Sequence, residues 1–397
     1  MDWEKEMPLF FKNPLILLFF LVSILFVVIS FISILAKNKK LDGFNFFAII
    51  IMMLCFYGLR YPGTTDTIMY LNYFDGLSNF ASFPWGIGFF YLMESIKKIN
   101  FSHEGYIFYS SFYFVFIMAA VVLFFCKNTY YKSIFMLSNF YSWSLLDLAT
   151  NTYRQGISVS LVLLSLYFLK EKRFIFSFIF SAIAASMHWS SLVIVFLVYF
   201  SYFISNRMLI LRCVSIITLM LLSVSFFINF SLAEVLSRSA FLSSLQTVFL
   251  GVDLLSKVDA YLGAGVDGAN FYDMASYQRI YYTAEVYIAL VVCVIFFCTL
   301  PKDTILAYDS GYRVVYSFFI ILTSYGTLLI SMTWFIRNFY WAAPMAPLLY
   351  IYILRMTEEN SAKKHKLLLL LYCIFILVFS CVTFWRLPLL NMSYPTY

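Results

Sequence analysis

Residues Pro14–Ala36 read PLILLFFLVSILFVVISFISILA, a stretch without a single charged side chain. A helix needs about 20 apolar residues to cross the roughly 30 Å of hydrocarbon in a bilayer. Further apolar runs follow at Phe112–Cys126, Phe174–Phe200, Leu209–Phe230 and Leu367–Trp385. Over the whole chain 63% of residues are hydrophobic and 12% are charged, whereas soluble domains carry about 25% charged residues. The sequence therefore predicts an all-α polytopic membrane protein, with residues 1–397 forming a single transmembrane domain.

The start of the chain argues against a cleaved signal peptide, and the cysteines argue against disulfides and a zinc site. Met1–Lys12 mixes acidic and basic residues, unlike the basic start of a signal peptide, so we expect the first apolar run to remain as a span. The seven cysteines lie in or beside apolar runs, and no CxxC pair occurs. We therefore predict neither disulfides nor a zinc site.

Clusters of lysine and arginine set the predicted orientation, because basic residues in short loops stay in the cytoplasm. The clusters are Lys37–Lys40, Lys127 with Lys132, Lys170–Arg173, Arg207 with Arg212, and Lys363–Lys366. With all of them inside, both termini lie outside, as do a segment at 62–104 and a long loop at Ser231–Tyr281 (residues 231–281). The spans are predicted at residues 14–36, 44–61, 105–126, 132–149, 155–169, 209–230, 283–300, 314–333, 338–354 and 367–385.

The run from Phe174 to Tyr202 is long for one span and short for two. A single crossing would put the basic clusters before and after it on opposite sides. Two helices of about 15 residues, hinged near His188, keep both inside, although each reaches only about 22 Å. Short helices of this kind are tolerated where they meet at a water-filled cavity. We favour the hinge, which gives about twelve spans. In the outer segment, Ile87–Asn100 has the period of an interfacial amphipathic helix.

Three arginines do not follow the rule that basic residues stay in the cytoplasm, because Arg60, Arg154 and Arg337 fall at the outer ends of predicted spans. Any one of them fits a simple anchor at the membrane surface, with its charge reaching water. Three on one face, each beside polar residues, instead favour a site for an anionic headgroup, since guanidinium groups bind phosphate oxygens in pairs. The predicted binding set is Arg60, Tyr70, Arg154, Gln155, Arg337, Asn338 and Tyr340.

His188 and Asp66 are the predicted catalytic residues. His188 lies at the proposed hinge on the arginine side, although a lone histidine in an apolar helix is often only structural. Asp66 follows Gly63, where it also fits a turn residue. Asp147 precedes Arg154 by seven residues, and we interpret it as a structural partner of that arginine. No ligand cluster for a metal is visible, so no cofactor is predicted.

Two segments resemble one family of membrane enzymes. GLRYPGTTDTIMYLNYF at Gly58–Phe74 is similar to a signature of the EpsG-like, Wzy-type polysaccharide polymerases, from which it differs at Pro62, Thr64 and Thr65. RQGISVSLVLLSLYFLKEKRFIFSFIFSAIAASMHWSSLVIV at Arg154–Val195 resembles the helix, basic turn and histidine segment of the same family.

The resemblance implies a glycosyltransferase of the GT-C-like class in the bacterial inner membrane. Such an enzyme joins oligosaccharide repeat units carried on undecaprenyl diphosphate at the periplasmic face, with O-antigen as the first expected product and capsule or other exopolysaccharide as the second. Its implied partners are the lipid-linked donor and acceptor, membrane lipids and a chain-length regulator, with no nucleic acid. The arginines would stabilise the diphosphate that leaves, without a metal, and His188 or Asp66 would deprotonate the acceptor hydroxyl.

Other classes remain open on the sequence. An O-antigen ligase needs the same site chemistry and is the nearest alternative. A flippase for lipid-linked oligosaccharides would need polar residues through both leaflets, whereas the unusual charges here gather at one face. A membrane acyltransferase would place a reactive histidine against an acyl donor, which makes it the weakest alternative.

Overall fold

The computed structural model describes residues 13–229, 270–299, 310–332, 334–386 and 388–394. All regular secondary structure assigned in these ranges is helical, so the predicted all-α class is confirmed for them. The chain divides into two compact units. Unit 1 contains Met1–Val198 and Tyr350–Tyr397, and unit 2 contains Tyr199–Leu349. Most of the predicted long loop, residues 230–269, lies outside the described residues.

The first unit holds the helices with the predicted catalytic residues. Its helices are α1 (Pro14–Leu35), α2 (Lys39–Gly58), α3 (Thr65–Asp75), α4 (Ile87–Ile99), α5 (His103–Phe125), α6 (Lys132–Phe140), α7 (Trp143–Thr150), α8 (Tyr153–Lys170), α9 (Phe174–Met187), the first part of α10 (Ser191–Ile204), α15 (Ala346–Asn360) from Tyr350 onward, α16 (Ala362–Arg386) and α17 (Pro388–Ser393). Unit 2 holds the rest of α10, then α11 (Met208–Ser225), α12 (Ser276–Thr299), α13 (Ser310–Leu328), the short α14 (Ile336–Phe339) and the first residues of α15.

Six helices in the described ranges are long and apolar enough to cross a bilayer. They are α1, α2, α5, α11, the Ser276–Phe296 part of α12 and the Ala362–Thr383 part of α16. The chain is therefore a multi-pass membrane protein. The larger number of about twelve spans, and the side of the membrane on which each loop lies, remain predictions.

The predicted hinge between two short helices is confirmed. α9 and α10 have 14 residues each, and His188 at the end of α9 has an extended backbone (φ −146°, ψ 122°). At 1.5 Å per residue each helix is about 21 Å long, shorter than the hydrocarbon layer.

Two predicted spans are wrong as continuous helices. Residues 132–149 break into α6 and α7, because Ser142 adopts an extended backbone and its hydroxyl caps α7 by accepting from the Leu145 amide at 3.1 Å. Residues 338–354 likewise divide into α14, a 3₁₀ turn at Ala343–Met345 and α15. Pro344 in that turn has no amide hydrogen for a continuous helical ladder.

The segment at 62–104 contains more helix than the sequence indicated. α3 was not predicted, whereas α4 matches the predicted amphipathic helix and buries Phe89, Met93 and Ile96 against the protein. α12 begins at Ser276, so the last residues of the predicted loop at 231–281 are helical.

α8 forms the centre of unit 1. All but its first-turn arginine and its final lysine are buried. Its serines meet those of α9, where the Ser165 hydroxyl lies 2.9 Å from that of Ser177 and 2.7 Å from that of Ser181. Small residues with hydrogen-bonding side chains let membrane helices approach closely. The buried helix thus carries Arg154 on a rigid support.

Unit 1 has two distinguishable ends. At one end, the Tyr61 amide donates to the Ser393 carbonyl at 2.8 Å and the Asn13 side chain to the Tyr394 carbonyl at 3.3 Å. We call this the arginine end, because Arg60 and Arg154 lie there. At the opposite end, which we call the glutamate end, Glu358 accepts from Lys37 at 2.7 Å and from Tyr131 at 3.0 Å.

The four basic clusters of unit 1 all lie at the glutamate end. Lys37 pairs with Glu358, the Lys132 amide donates to Asp42 at 3.2 Å, and the His365 ring lies 3.1 Å from the Leu354 carbonyl. The end of α8 reaches the same level, since Tyr167 packs on Phe125 with ring centroids 5.3 Å apart. The clusters thus share one end, as the predicted threading requires.

Candidate active site

The segment that joins α2 to α3 is fixed by close backbone contacts. A Cβ atom added to Gly63 would lie 2.0 Å from the Met392 carbonyl oxygen, so only glycine fits there. The next residue, Thr64, donates to the Thr150 carbonyl at 2.9 Å. Thr67, in the first turn of α3, donates to the same carbonyl at 2.5 Å. The start of α3 is therefore attached to the segment that precedes α8.

An asparagine connects the two acidic residues of this region. The Asn151 side-chain oxygen accepts from the Asp66 amide at 3.0 Å, and its nitrogen donates to the Asp147 carboxylate at 2.9 Å. Asp66 lies in the first turn of α3, where the helix dipole favours a negative charge. Both carboxylates are partly exposed. The structure thus brings Asp66 and Asp147 to one place through a residue that sequence reasoning missed.

Arg154, the second residue of α8, lies in a cage of aromatic rings. Its guanidinium carbon lies 4.7 Å from the centre of the Trp85 ring, 5.7 Å from Tyr70 and 5.8 Å from Phe89. Its Nε donates to the Tyr70 hydroxyl at 3.3 Å. The side chain is half-buried, while the neighbouring Gln155 is buried. Rings that contact the cation limit its motion and hold its charge at a partly desolvated surface.

His188 lies at the same end as this cage. Gly86, next to Trp85, is so close to α9 that an added Cβ would lie 2.1 Å from the Ser186 carbonyl oxygen. The His188 ring is half-buried, and its Nδ1 lies 2.7 Å from the Ser190 hydroxyl. The structure thus joins the histidine hinge to the Arg154 cage through the segment that contains Trp85 and Gly86.

Arg60 occupies a different environment at this end, because it lies inside the protein. It is 5% exposed, and its Nη1 donates to the Tyr57 carbonyl at 2.6 Å and to the Ser111 hydroxyl at 2.8 Å. Among the described residues its Nε has no hydrogen-bond partner, and neither have the buried hydroxyls of Tyr57, Tyr106 and Tyr153. Tyr106 lies within electrostatic reach of both Arg60 and Arg154. Arg60 thus sits behind the site as a buried charge.

Arg337 belongs to unit 2. It lies in α14, with its guanidinium 5.4 Å from the centre of the Trp334 ring, and Trp334 adopts a left-handed backbone with φ of 59°. Asn338 is half-buried and Tyr340 is buried. These residues form a group of their own within unit 2.

A second arginine of unit 2, Arg279, was missed by sequence reasoning. It is 9% exposed and donates to the carbonyls of Met274 at 3.0 Å and Tyr272 at 2.6 Å. A third bond reaches the Phe226 carbonyl at 3.2 Å. Since backbone carbonyls occupy its nitrogens, Arg279 holds the start of α12 in place.

Residues missed in unit 1 had only weak sequence signals. Trp85 stands in the turn-like FPWG stretch, and Asn151 stands three residues before Arg154. Metal ligation finds no support in the parts of the chain that are described, since they contain no group of three His, Cys, Asp or Glu side chains suited to an ion.

Taken together, the membrane-length helices and the cationic, aromatic site define a class: a multi-pass membrane protein with a polar site at one end of its helices. The sequence profile of the EpsG family matches residues 43–397, and the chain belongs to this family. It is accordingly a polysaccharide polymerase-like membrane protein, and the glycosyltransferase-like character of the family supports an enzyme. No curated protein and no solved structure matches the chain significantly.

Proposed function

We propose that the protein is an O-antigen polymerase of the bacterial inner membrane, with its site facing the periplasm. It would transfer the growing glycan from undecaprenyl diphosphate to the next lipid-linked repeat unit. The observation that carries this proposal is the Arg154 cage, which presents a half-buried guanidinium beside a histidine hinge and two carboxylates. Membrane lipids and a chain-length regulator are the further proposed partners.

The reaction needs one bond to form and one to break. The acceptor hydroxyl oxygen attacks the anomeric carbon of the donor, the bond from that carbon to the diphosphate breaks, and its electron pair leaves with undecaprenyl diphosphate. Arg154 would stabilise the departing charge. The role of Arg337, Asn338 and Tyr340 in binding the diphosphate stays a prediction from the sequence. A preorganised donor of this kind is worth about 10²–10³ in rate. Arg60, which is buried, would contribute through its field, with Gln155 and Tyr70 holding Arg154 and its surroundings.

The hydroxyl proton requires a base, and His188 is the first candidate. If the Nδ1–H of His188 donates to the Ser190 oxygen, the ring is the tautomer whose lone pair lies on Nε2. In that tautomer Nε2 accepts the proton. Base catalysis of this kind contributes about 10²–10⁴. Asp66 is the second candidate, in which case His188 would orient the diphosphate. Its position in the first turn of α3, fixed by Asn151, supports that alternative.

A reconstitution experiment tests the proposed function. Membranes that lack the protein are loaded with lipid-linked repeat units, and purified protein is added with excess EDTA. Long chains that remain on lipid diphosphate are the expected product. Transfer to a different acceptor would indicate a ligase, and transport without bond formation would indicate a flippase. Activity that disappears with EDTA and returns with magnesium would contradict the metal-free mechanism.

A further inference from the structure

The glutamate end contains a cleft that the proposed reaction does not use. It has a volume of about 280 Å³ and is lined by Lys37, Asn128, Thr129, Tyr130, Tyr131, Arg355, Glu358 and Glu359. Pockets that bind small molecules start at about 300 Å³, so a lipid headgroup fits where a whole lipid does not.

The cleft lies where four membrane-length helices end. Lys37 is in the turn between α1 and α2, Asn128 follows α5, and Glu358 precedes α16. These positions place the cleft at a membrane surface, whichever side that is. Ile32 and Leu35 of α1, immediately before Lys37, are 49% and 40% exposed. A lipid whose headgroup occupies the cleft would find an apolar surface beside it for its acyl chains.

Glu358 holds one wall of the cleft rigid. Its carboxylate accepts from Lys37 at 2.7 Å, from the Tyr131 hydroxyl at 3.0 Å and from the Tyr130 hydroxyl. Burial alone would raise the pKa of Glu358, but these hydrogen bonds outweigh it and the pKa lies below its ordinary value. The carboxylate is therefore ionised and fully engaged at neutral pH.

Arg355 and Glu359 remain for a ligand. They lie four residues apart on α15, a spacing at which opposite charges commonly pair. Across the described residues, however, no carboxylate lies within ion-pair distance of Arg355, whose guanidinium stands 5.7 Å from the Tyr352 ring centre. A cation and an anion thus flank the same cleft without neutralising each other.

We propose that this cleft binds the zwitterionic headgroup of an aminophospholipid. The phosphate would receive paired hydrogen bonds from Arg355, and the primary ammonium would lie against Glu359. An anionic headgroup without an amine is disfavoured, because it would leave Glu359 beside it without a cation. Soluble phosphoethanolamine carries the same ammonium group and a phosphate monoester, but it lacks the acyl chains that the exposed face of α1 accommodates.

The test measures lipid retention by native mass spectrometry on the full-length protein. Purified protein is titrated with phosphatidylethanolamine or with phosphatidylglycerol of the same chains, and soluble phosphoethanolamine is added as a competitor. We expect at least tenfold tighter binding of phosphatidylethanolamine and no competition from millimolar phosphoethanolamine. Equal binding of both lipids, or full displacement by the soluble compound, would overturn the proposal.

Two variants and a control locate the site. Arg355→Gln should reduce phosphatidylethanolamine binding about tenfold, and Glu359→Gln should remove the selectivity over phosphatidylglycerol. Glu359 is exposed, so its replacement does not depend on core packing. Lys364→Gln changes an exposed lysine outside the cleft and should bind as the wild type does. Unchanged selectivity in both cleft variants, or an equal loss in the control, would contradict the assignment.

Discussion

The acidic residues at the glutamate end and the arginines at the arginine end differ in how fully their hydrogen bonds are formed. At the glutamate end, Glu358 has three donors and Asp42 accepts from the Ser133 amide at 3.0 Å and its hydroxyl at 2.6 Å. At the arginine end, Arg154 is held by rings and one phenol, while Arg60 and three tyrosines keep unpartnered polar atoms in the described structure. Buried carboxylates whose hydrogen bonds are all formed stabilise helix ends, whereas a buried cation and hydroxyls that lack partners favour a ligand site. The difference supports the proposed placement of the reaction at the arginine end.

The largest expected effect concerns the base at the arginine end. His188→Gln should slow polymerisation by about 10²–10⁴ while the protein keeps its thermal midpoint, because the amide cannot accept the proton. Turnover and thermal midpoint are measured in parallel with Asp66→Asn. A stable, active His188→Gln beside a stable, inactive Asp66→Asn would transfer the role to Asp66. A loss of midpoint with unchanged activity per folded molecule would make His188 structural.

Arg154 should show the next largest effect. Arg154→Ala should reduce long-chain product by about 10²–10³ at normal membrane level, since the leaving diphosphate loses its cation. Arg154→Lys should recover only part of this, because a lysine lacks the planar fork. The matched control is Arg173→Ala, an exposed arginine in the turn between α8 and α9 at the glutamate end, which should leave polymerisation unchanged. Equal losses at both ends would remove the functional distinction between them.

Replacing a glycine by alanine should change the stability of the protein differently at the two ends of unit 1. Gly156→Ala at the arginine end would bring a methyl group within 2.3 Å of the Leu148 carbonyl, and a forced shift of this kind costs about 1–3 kcal/mol. Gly43→Ala in α2 is the control, because an added methyl group there meets no atom within 4 Å. It should be neutral or stabilise the helix by up to about 1 kcal/mol. Thermal unfolding in one detergent compares the two variants.

The smallest expected effect is the pH dependence of folding stability that Glu358 causes at the glutamate end. Since the pKa of Glu358 lies below its ordinary value of 4.5, its ionised form stabilises the folded state above that pH. This contribution should be lost as the pH falls from 4.5 through the folded-state pKa. Glu358→Gln should make the thermal midpoint less dependent on pH over that acidic range and leave His188-dependent activity intact. An unchanged acid profile would show that Glu358 contributes little.

Sequence patterns predicted most of the long helices, because an apolar run of membrane length has few alternatives. The hinge at His188 followed from the charges on both sides of it. The break at Ser142 was missed, since a serine inside an apolar stretch is also common in continuous spans. Asn151 and Trp85 were missed for another reason: their contacts with Asp66 and Arg154 join segments distant in the chain. Arg60 and Arg154 both stand in the sequence at the outer ends of predicted spans, and only tertiary packing shows that Arg60 is the buried arginine.

The serine contacts between α8 and α9 also bear on how the protein is made. Ile175 and Phe178 of α9 are 76% and 67% exposed, while Ser177 and Ser181 face α8. A 14-residue segment is too short to be held in the bilayer by its own length. Ser177 and Ser181 can contact the Ser165 hydroxyl only when α8 is already in place. During synthesis, α8 would therefore enter first and act as the template on which α9 and the histidine hinge are assembled.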